Sequence, residues 1–295
     1  MRTFQQIHPL RAYLRGIRAE DKTIGFVPTM GALHEGHLTL IRKAKSDCDL
    51  VLVSIFVNPT QFGPNEDFAR YPRDLARDQK LTSNEGVDAL FAPSVEEIYP
   101  AGAQTVVDVP ELASALEGAH RPGHFRGVAT VVTKLFNIVQ PDRAYFGQKD
   151  YQQLLVIERL VRDLHLQVAV VPVSTVREAD GLAMSSRNAY LSPEERAAAT
   201  VLYRALQRAE ELITGGTRDG RRVQAELESL IAAEPLAVVD YVAVVHPETL
   251  EPMPLLTEAP TLVALAVRIG KTRLIDNALI SPDGFLPPRN HFHKS

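Results

Sequence analysis

Ile7, Leu10, Leu14 and Ile17 recur at the three- and four-residue spacing of one helix face, so an amphipathic helix is expected near the start of the chain. The short apolar run Ile24 to Val27 then reads as a buried strand, and Leu38, Ile41 and Ala44 restore helical spacing. Leu50 to Val57 is β-branched and apolar on both faces, the pattern of an inner strand of a parallel sheet. Further strands are expected at Ala89 to Phe91, Thr105 to Val109, Arg143 to Phe146 and Gln167 to Val171, with helical segments between most of them, including Val128 to Val139. Strands alternating with helices predict a doubly wound α/β domain. Ligands of such sheets bind beyond the carboxyl ends of the strands.

After Val176 the pattern changes. Ser192-Pro193-Glu194-Glu195 combines a Ser N-cap, Pro at the first helical position and a capping-box Glu. The helix it opens carries Leu202, Leu206, Ala209 and Ile213 on one face and stops at Gly215-Gly216. A second helix around Val223 to Ile231 and two strands, Val238 to Val245 and Leu262 to Ile269, complete a smaller α+β domain. The expected division is therefore 1–176 and 177–295, with the boundary near Val176/Arg177. The Pro- and His-rich tail from Ser281 reads as a loosely packed end without a metal site.

With 295 residues, 45% hydrophobic and 23% charged, the chain is long enough for two domains that each bury a core. A net charge of -4 gives no reason to expect nucleic acid or an anionic membrane as a partner, so an anionic ligand must be met by local basic groups. Cys48 is the only cysteine, which excludes an intrachain disulfide and makes a cytoplasmic address the default. No apolar h-region opens the chain, and its longest apolar stretch, Leu50 to Val57, is too short to span a bilayer.

Within this frame His34-Glu35-Gly36-His37 is the most informative segment. It follows a predicted strand and a Gly-bearing loop at the expected start of a helix, where unpaired N–H groups and the helix dipole favour phosphate. A zinc-protease helix needs His-Glu-x-x-His, and here the second His comes one residue too early. Asn58 and Gln61, in the Pro/Gly-rich turn Asn58 to Asp67, could hold a small polar substrate through neutral donors and acceptors. His120 to Gly127 gathers His120, Arg121, His124 and Arg126 into a loop that could hold a carboxylate or phosphate. Tyr145 to Gln153 is again strand end, Gly turn and helix start: Gly147 permits close approach, Lys149 offers a point charge, and Asp150 could cap the helix or meet a ribose. Arg177 to Asn188 sets two hydroxyls beside an arginine at the domain boundary. Gly270-Lys271-Thr272 ends like a P-loop, but Leu265 stands where that motif needs Gly, so it reads as a strand-end turn.

Four of these segments, Val27 to His37, Phe56 to Gly63, Phe146 to Tyr151 and Arg177 to Asn188, resemble the pantothenate synthetase (pantoate-β-alanine ligase) family in order and spacing. The likeness covers essentially the whole chain and fades after Asn188. The family belongs to the nucleotidylyltransferases whose signature is His-x-Gly-His; His34 and His37 fill it, and Met184-Ser185-Ser186-Arg187 matches the family's variant of the second, Lys-Met-Ser-Lys-Ser-like signature. The resemblance implies a Rossmann-like α/β fold and a smaller α+β C-terminal domain closing over the ATP site. It implies AMP-forming ligation of pantoate and β-alanine with ATP and Mg2+, through a pantoyl adenylate, by a homodimer. It assigns catalysis to His37, as the better proton donor, with His34 and Lys149. ATP binding falls to Met30, His34, His37, Gly147, Lys149, Asp150, Val176, Met184, Ser185, Ser186 and Arg187, and pantoate to Gln61 and Gln153. Asn58, His124 and Arg121 are added as substrate candidates on their chemistry and their nearness to the motifs. Magnesium is expected on ATP oxygens and water rather than in a protein cage.

Two other readings stay open on the residues alone. A nucleotidyltransferase would release pyrophosphate without needing β-alanine. A catalytically silent nucleotide-binding module would bind ATP without turnover.

Overall fold

The computed structural model describes residues 1–64 and 66–288. Its contacts divide the chain into two compact units: Met1–Gly147 with Gln152–Val173, and Gln148–Tyr151 with the described residues from Ser174 onward. The division thus falls at 173/174, and the four-residue segment Gln148–Tyr151 belongs to the second unit, which no single cut of the chain can express.

The first unit carries strands β1 (Arg2–Phe4), β2 (Ile24–Thr29), β3 (Leu50–Ile55), β4 (Ala89–Phe91), β5 (Arg143–Gly147) and β6 (Ala169–Val173). They form a parallel sheet in the order β1-β4-β3-β2-β5-β6. Its helices are α1 (Ile7–Arg18), α2 (Glu35–Asp47), α3 (Leu75–Asn84), three short ones, α4 (Val95–Ile98), α5 (Pro110–Ala113) and α6 (Leu116–His120), and then α7 (His124–Val139). Helix α8 (Tyr151–Asp163) follows β5. Strand alternation explains why β2 and β3 are apolar on both faces. Val27, Val51 and Val53 pack with Leu40, Ile41 and Ala44 of α2, while Phe26, on the other face, meets Phe136 of α7 with ring centroids 6.4 Å apart. From β2 the chain runs outward to β3 and β4 on one side, and it returns to β5 and β6 on the other. The order therefore reverses between β2 and β5, which makes their carboxyl ends the sheet's natural ligand position.

The second unit pairs β7 (Ala237–Val245), β8 (Thr261–Ile269), β9 (Thr272–Ser281) and β10 (Gly284–Phe285) into an antiparallel sheet ordered β10-β9-β8-β7. Helices α9 (Pro193–Ala198), α10 (Val201–Thr214) and α11 (Gly220–Ala232) accompany it. Leu202, Leu206, Ala209 and Ile213 of α10 pack on Val263, Leu265 and Val267 of β8 in one core. Gly270-Lys271 is the turn between β8 and β9, with Gly270 at φ 57°, a first turn position that favours glycine.

Several expectations are corrected. Thr105 to Val109 forms no strand, because the Thr130 hydroxyl of α7 meets both the N–H and the carbonyl of Val107. The helix opened by Ser192 is two helices: Thr200 donates its hydroxyl to the Ala197 carbonyl, and α10 restarts at Val201. Strand β6 lies at 169–173 rather than 167–171. The long strand β9 was not expected, and the tail's first residues pair as β10 against β9; the remainder of the tail, with His291 and His293, lies outside the described residues, as does Asn65.

Candidate active site

In the first unit, α2 starts where the motif requires, at the carboxyl end of β2. Its first turn is capped reciprocally by the two histidines. His34, the N-cap, accepts the Gly36 N–H on Nδ1 at 3.2 Å, and His37 accepts the His34 N–H on Nδ1 at 3.3 Å. The neutral ring of each then carries its proton on Nε2. The ring centroids lie 4.1 Å apart. The glycine between them has a steric reason, since a Cβ at Gly36 would stand 2.9 Å from Cε1 of His34.

The loop joining β2 to this turn is held from α3. Gly31 and Ala32 adopt left-handed φ values of 81° and 50°, and buried Asp78 accepts from the N–H groups of Ala32 (2.8 Å) and Leu33 (2.9 Å). Burial raises the Asp78 carboxyl above its ordinary value despite those bonds. Sequence reasoning missed Asp78, which lies in a polar helix without a motif.

The turn after β3 builds a second group. Asn58, 1% exposed, donates to Gln61 Oε1 and the Gly127 carbonyl, both at 3.1 Å. Its own Oδ1 accepts from Tyr99 at 2.9 Å and Thr60 at 3.0 Å. The buried Gln61 amide nitrogen lies 3.2 Å from Met30 Sδ. Met30 and Gln61, predicted for different ligands, are therefore neighbours, and Tyr99 is a further residue the sequence did not single out.

Arg121 and His124 are not what their composition suggested. His124 is the first residue of α7, so the basic segment is part helix and not wholly loop. Arg121 grips Glu66 through two bonds of 2.8 and 2.6 Å. Burial raises the Glu66 carboxyl, but the bond and charge of Arg121 more than offset it and hold it below its usual range. Burial, then Arg121, pushes the His124 imidazole down to about 4. A neutral ring satisfies both its contacts: Nδ1–H donates to the Gln61 carbonyl at 2.8 Å, and Nε2 accepts from Arg121 at 3.2 Å. The charge of Arg121 is thus balanced and His124 is uncharged near neutrality. What the pair visibly does is hold the backbone of Gln61.

Gly147 ends β5, and a Cβ there would meet nothing within 4 Å, so the space above it is open to a ligand. On α8, Gln152 is buried and bonded to the Glu117 N–H and the carbonyls of Leu112 and Ala115. Gln153 beside it is half-buried.

The second unit holds the remaining candidates. Lys149 and Asp150 lie in a single 3-10 turn, Gln148–Asp150. Val176 accepts the Met184 N–H at 2.9 Å, closing a tight hairpin. Gly181 at its tip, φ 92°, packs so close to Tyr203 that a Cβ would lie 1.9 Å from the ring. Ser185 caps the turn Ser186–Tyr190 by accepting the Arg187 N–H at 3.3 Å. Among the described residues no three His, Cys, Asp or Glu side chains stand together as metal ligands.

The family model described as pantoate-beta-alanine ligase matches residues 2–279. The chain belongs to the pantoate-β-alanine ligase family. A pantothenate synthetase of Agrobacterium fabrum is 61% identical over 280 residues, covering 95% of this chain and 96% of its own. One of Carboxydothermus hydrogenoformans is 59% identical, covering 96% of this chain and 100% of its own. The crystal structure of the Thermus thermophilus pantothenate synthetase superposes with a TM-score of 0.89 at 53% identity, over 94% and 98% of the two chains. The ligase of Francisella tularensis, solved with β,γ-ATP and β-alanine, gives a TM-score of 0.78 at 38% identity, over 95% and 97%. The likeness thus runs through both units. No helix among the described residues is long and apolar enough to cross a membrane.

Proposed function

We propose that this ligase-family chain joins pantoate to β-alanine through a pantoyl adenylate, as a cytoplasmic homodimer. A carboxylate is a poor electrophile, so a pantoate oxygen attacks the α-phosphorus of ATP and the bond to the β-phosphate breaks, releasing pyrophosphate. The β-alanine amine then attacks the acyl carbon, AMP leaves, and the amine's surplus proton passes to solvent. No protein nucleophile takes part, so catalysis rests on positioning and on charge stabilisation. His34 and His37 offer Nε2–H donors at a helix N-terminus to the triphosphate, His37 being the proton donor. Met30, Gly147, Asp150, Val176, Met184, Ser185, Ser186 and Arg187 bind ATP. Lys149 balances phosphate charge. Gln61 and Gln153 bind pantoate, and Asn58, Arg121 and His124 serve that site by holding Gln61. Magnesium, for which the described side chains offer no cage, would ride on phosphate oxygens and water and reduce their charge.

The observation that carries this reading is the reciprocal capping of α2 by His34 and His37 at the sheet's reversal point, in a chain of this family. The test is release of pyrophosphate and AMP from ATP with pantoate, with and without β-alanine. Pyrophosphate should require pantoate, and AMP turnover should require β-alanine. Release that ignores pantoate sinks the assignment; pyrophosphate turnover indifferent to β-alanine indicates a nucleotidyltransferase.

A further inference from the structure

Lys149 lies in a turn of only three residues, Gln148–Asp150, and its charge sits on a flexible four-carbon stem. A group that acts by position needs its main chain held. The holder is on β9. Asn277, 6% exposed, donates its single amide nitrogen to two successive carbonyls, Gln148 at 3.1 Å and Lys149 at 2.8 Å. Two acceptors on one nitrogen fix both peptide planes that flank Lys149. They also fix the amide's orientation, because the reverse would set an oxygen against two carbonyls. Its Oδ1 is buried without a hydrogen-bond partner among the described residues. A position kept only for packing would favour an apolar side chain over one with an orphaned acceptor.

The preceding residue does the corresponding task for the other phosphate candidates. Asp276, 2% exposed, takes Arg177 through bonds of 2.6 and 3.0 Å. Arg177 also donates to the Gly181 carbonyl at 3.1 Å and lies over Tyr203 at 4.6 Å. That bond set anchors the hairpin leading into Met184, Ser185, Ser186 and Arg187. Successive strand residues face opposite sides of a sheet, so the dipeptide Asp276-Asn277 anchors one segment from each face of β9.

We propose that Asn277 is a positioning residue for Lys149, and that Asp276-Asn277 holds the lysine turn and the serine-arginine turn in fixed register within the second unit. The inference rests on the role given to Lys149 above. The experiment is a double-mutant cycle in the full chain, pairing Lys149→Ala with Asn277→Ala and with Asn277→Ser, which keeps one donor and adds no charge. Rate and KM of pantoate-dependent pyrophosphate release are read beside thermal melting. Asn277→Ala should lower kcat by about 10- to 100-fold, the scale of misplacing a reacting group by ~1 Å, with the pantoate KM within about twofold. Asn277→Ser should fall between it and the parent. In the Lys149→Ala background either change should cost no more than about twofold further, since residues acting as one unit are not additive. Losses that multiply, or a loss confined to melting or to the pantoate KM, overturn this inference alone. Full adenylation by folded Lys149→Ala overturns the lysine's role and this inference with it. Should Asn277→Ala fail to fold, the cycle with Asn277→Ser decides.

Discussion

His124→Asn should remove a pH dependence of stability while keeping a hydrogen bond. The amide nitrogen of the introduced asparagine can donate to the Gln61 carbonyl in place of Nδ1–H, but it does not titrate. In the fold, burial and the neighbouring Arg121 push the imidazole from 6.5 down to about 4. Between those values the unfolded chain binds a proton that the folded chain refuses, so stability rises with pH across that window. The contribution is fully present above 6.5 and is lost as pH falls to about 4. At about 1.4 kcal/mol per pH unit the whole effect is at most ~3.5 kcal/mol. Glu66, held low mainly by Arg121, contributes stability that disappears at the acid end, and the part due to Arg121 is common to both proteins and cancels in their difference. Urea unfolding of the two proteins in steps from about pH 7.5 to about pH 4.5 measures that difference, which should shrink by ~2 kcal/mol toward acid. A constant difference would mean that the ring protonates equally in both states and would refute the reasoning.

Lys149→Ala should fold normally and lose on the order of 10²-fold or more in adenylation, the scale of deleting one preorganised charge-stabilising group; unchanged pyrophosphate release rejects that role. Gly127→Ala places a Cβ 2.4 Å from the Thr60 carbonyl and 2.7 Å from the Gln61 nitrogen, so it should raise the pantoate KM more than the ATP KM and cost ~1–3 kcal/mol in unfolding. Equal KM values with parental stability contradict it. Asp78→Ala leaves the buried N–H groups of Ala32 and Leu33 without their acceptor and should destabilise by ~2–4 kcal/mol in denaturant titration. An unshifted midpoint would show that the loop does not need the carboxylate.

The parallel sheet was legible because its inner strands are buried on both faces, and such strands read as unbroken apolar runs. Strand β9 was not, because Arg273, Asp276 and Asn277 interrupt its pattern. Two of those polar residues serve partners distant in the chain: Asp276 takes Arg177, and Asn277 holds the Lys149 turn. Thr105 to Val109 failed in the opposite sense. Its β-branched residues suit any extended chain, and only Thr130 decides that Val107 bonds to a side chain rather than to a strand. The helix start at His34 could be read from four residues, as capping is local. The charge states around His124 could not, since they depend on burial and on Arg121, whose own partner Glu66 lies 55 residues from it in the chain.

Chemistry that needs no protein nucleophile places an unusual demand on these long-range partners. Groups proposed to touch substrate are themselves held by other side chains: the loop before His34 by Asp78, Gln61 by Asn58 and His124, and the Lys149 turn by Asn277. If catalysis is positioning, a holder can lose at most what its held residue supplies, because its effect passes through that residue. Tyr99, which reaches Gln61 through Asn58, should therefore cost less than Gln61 when removed. A holder that costs more must either touch substrate or carry folding, and denaturant titration separates those two cases.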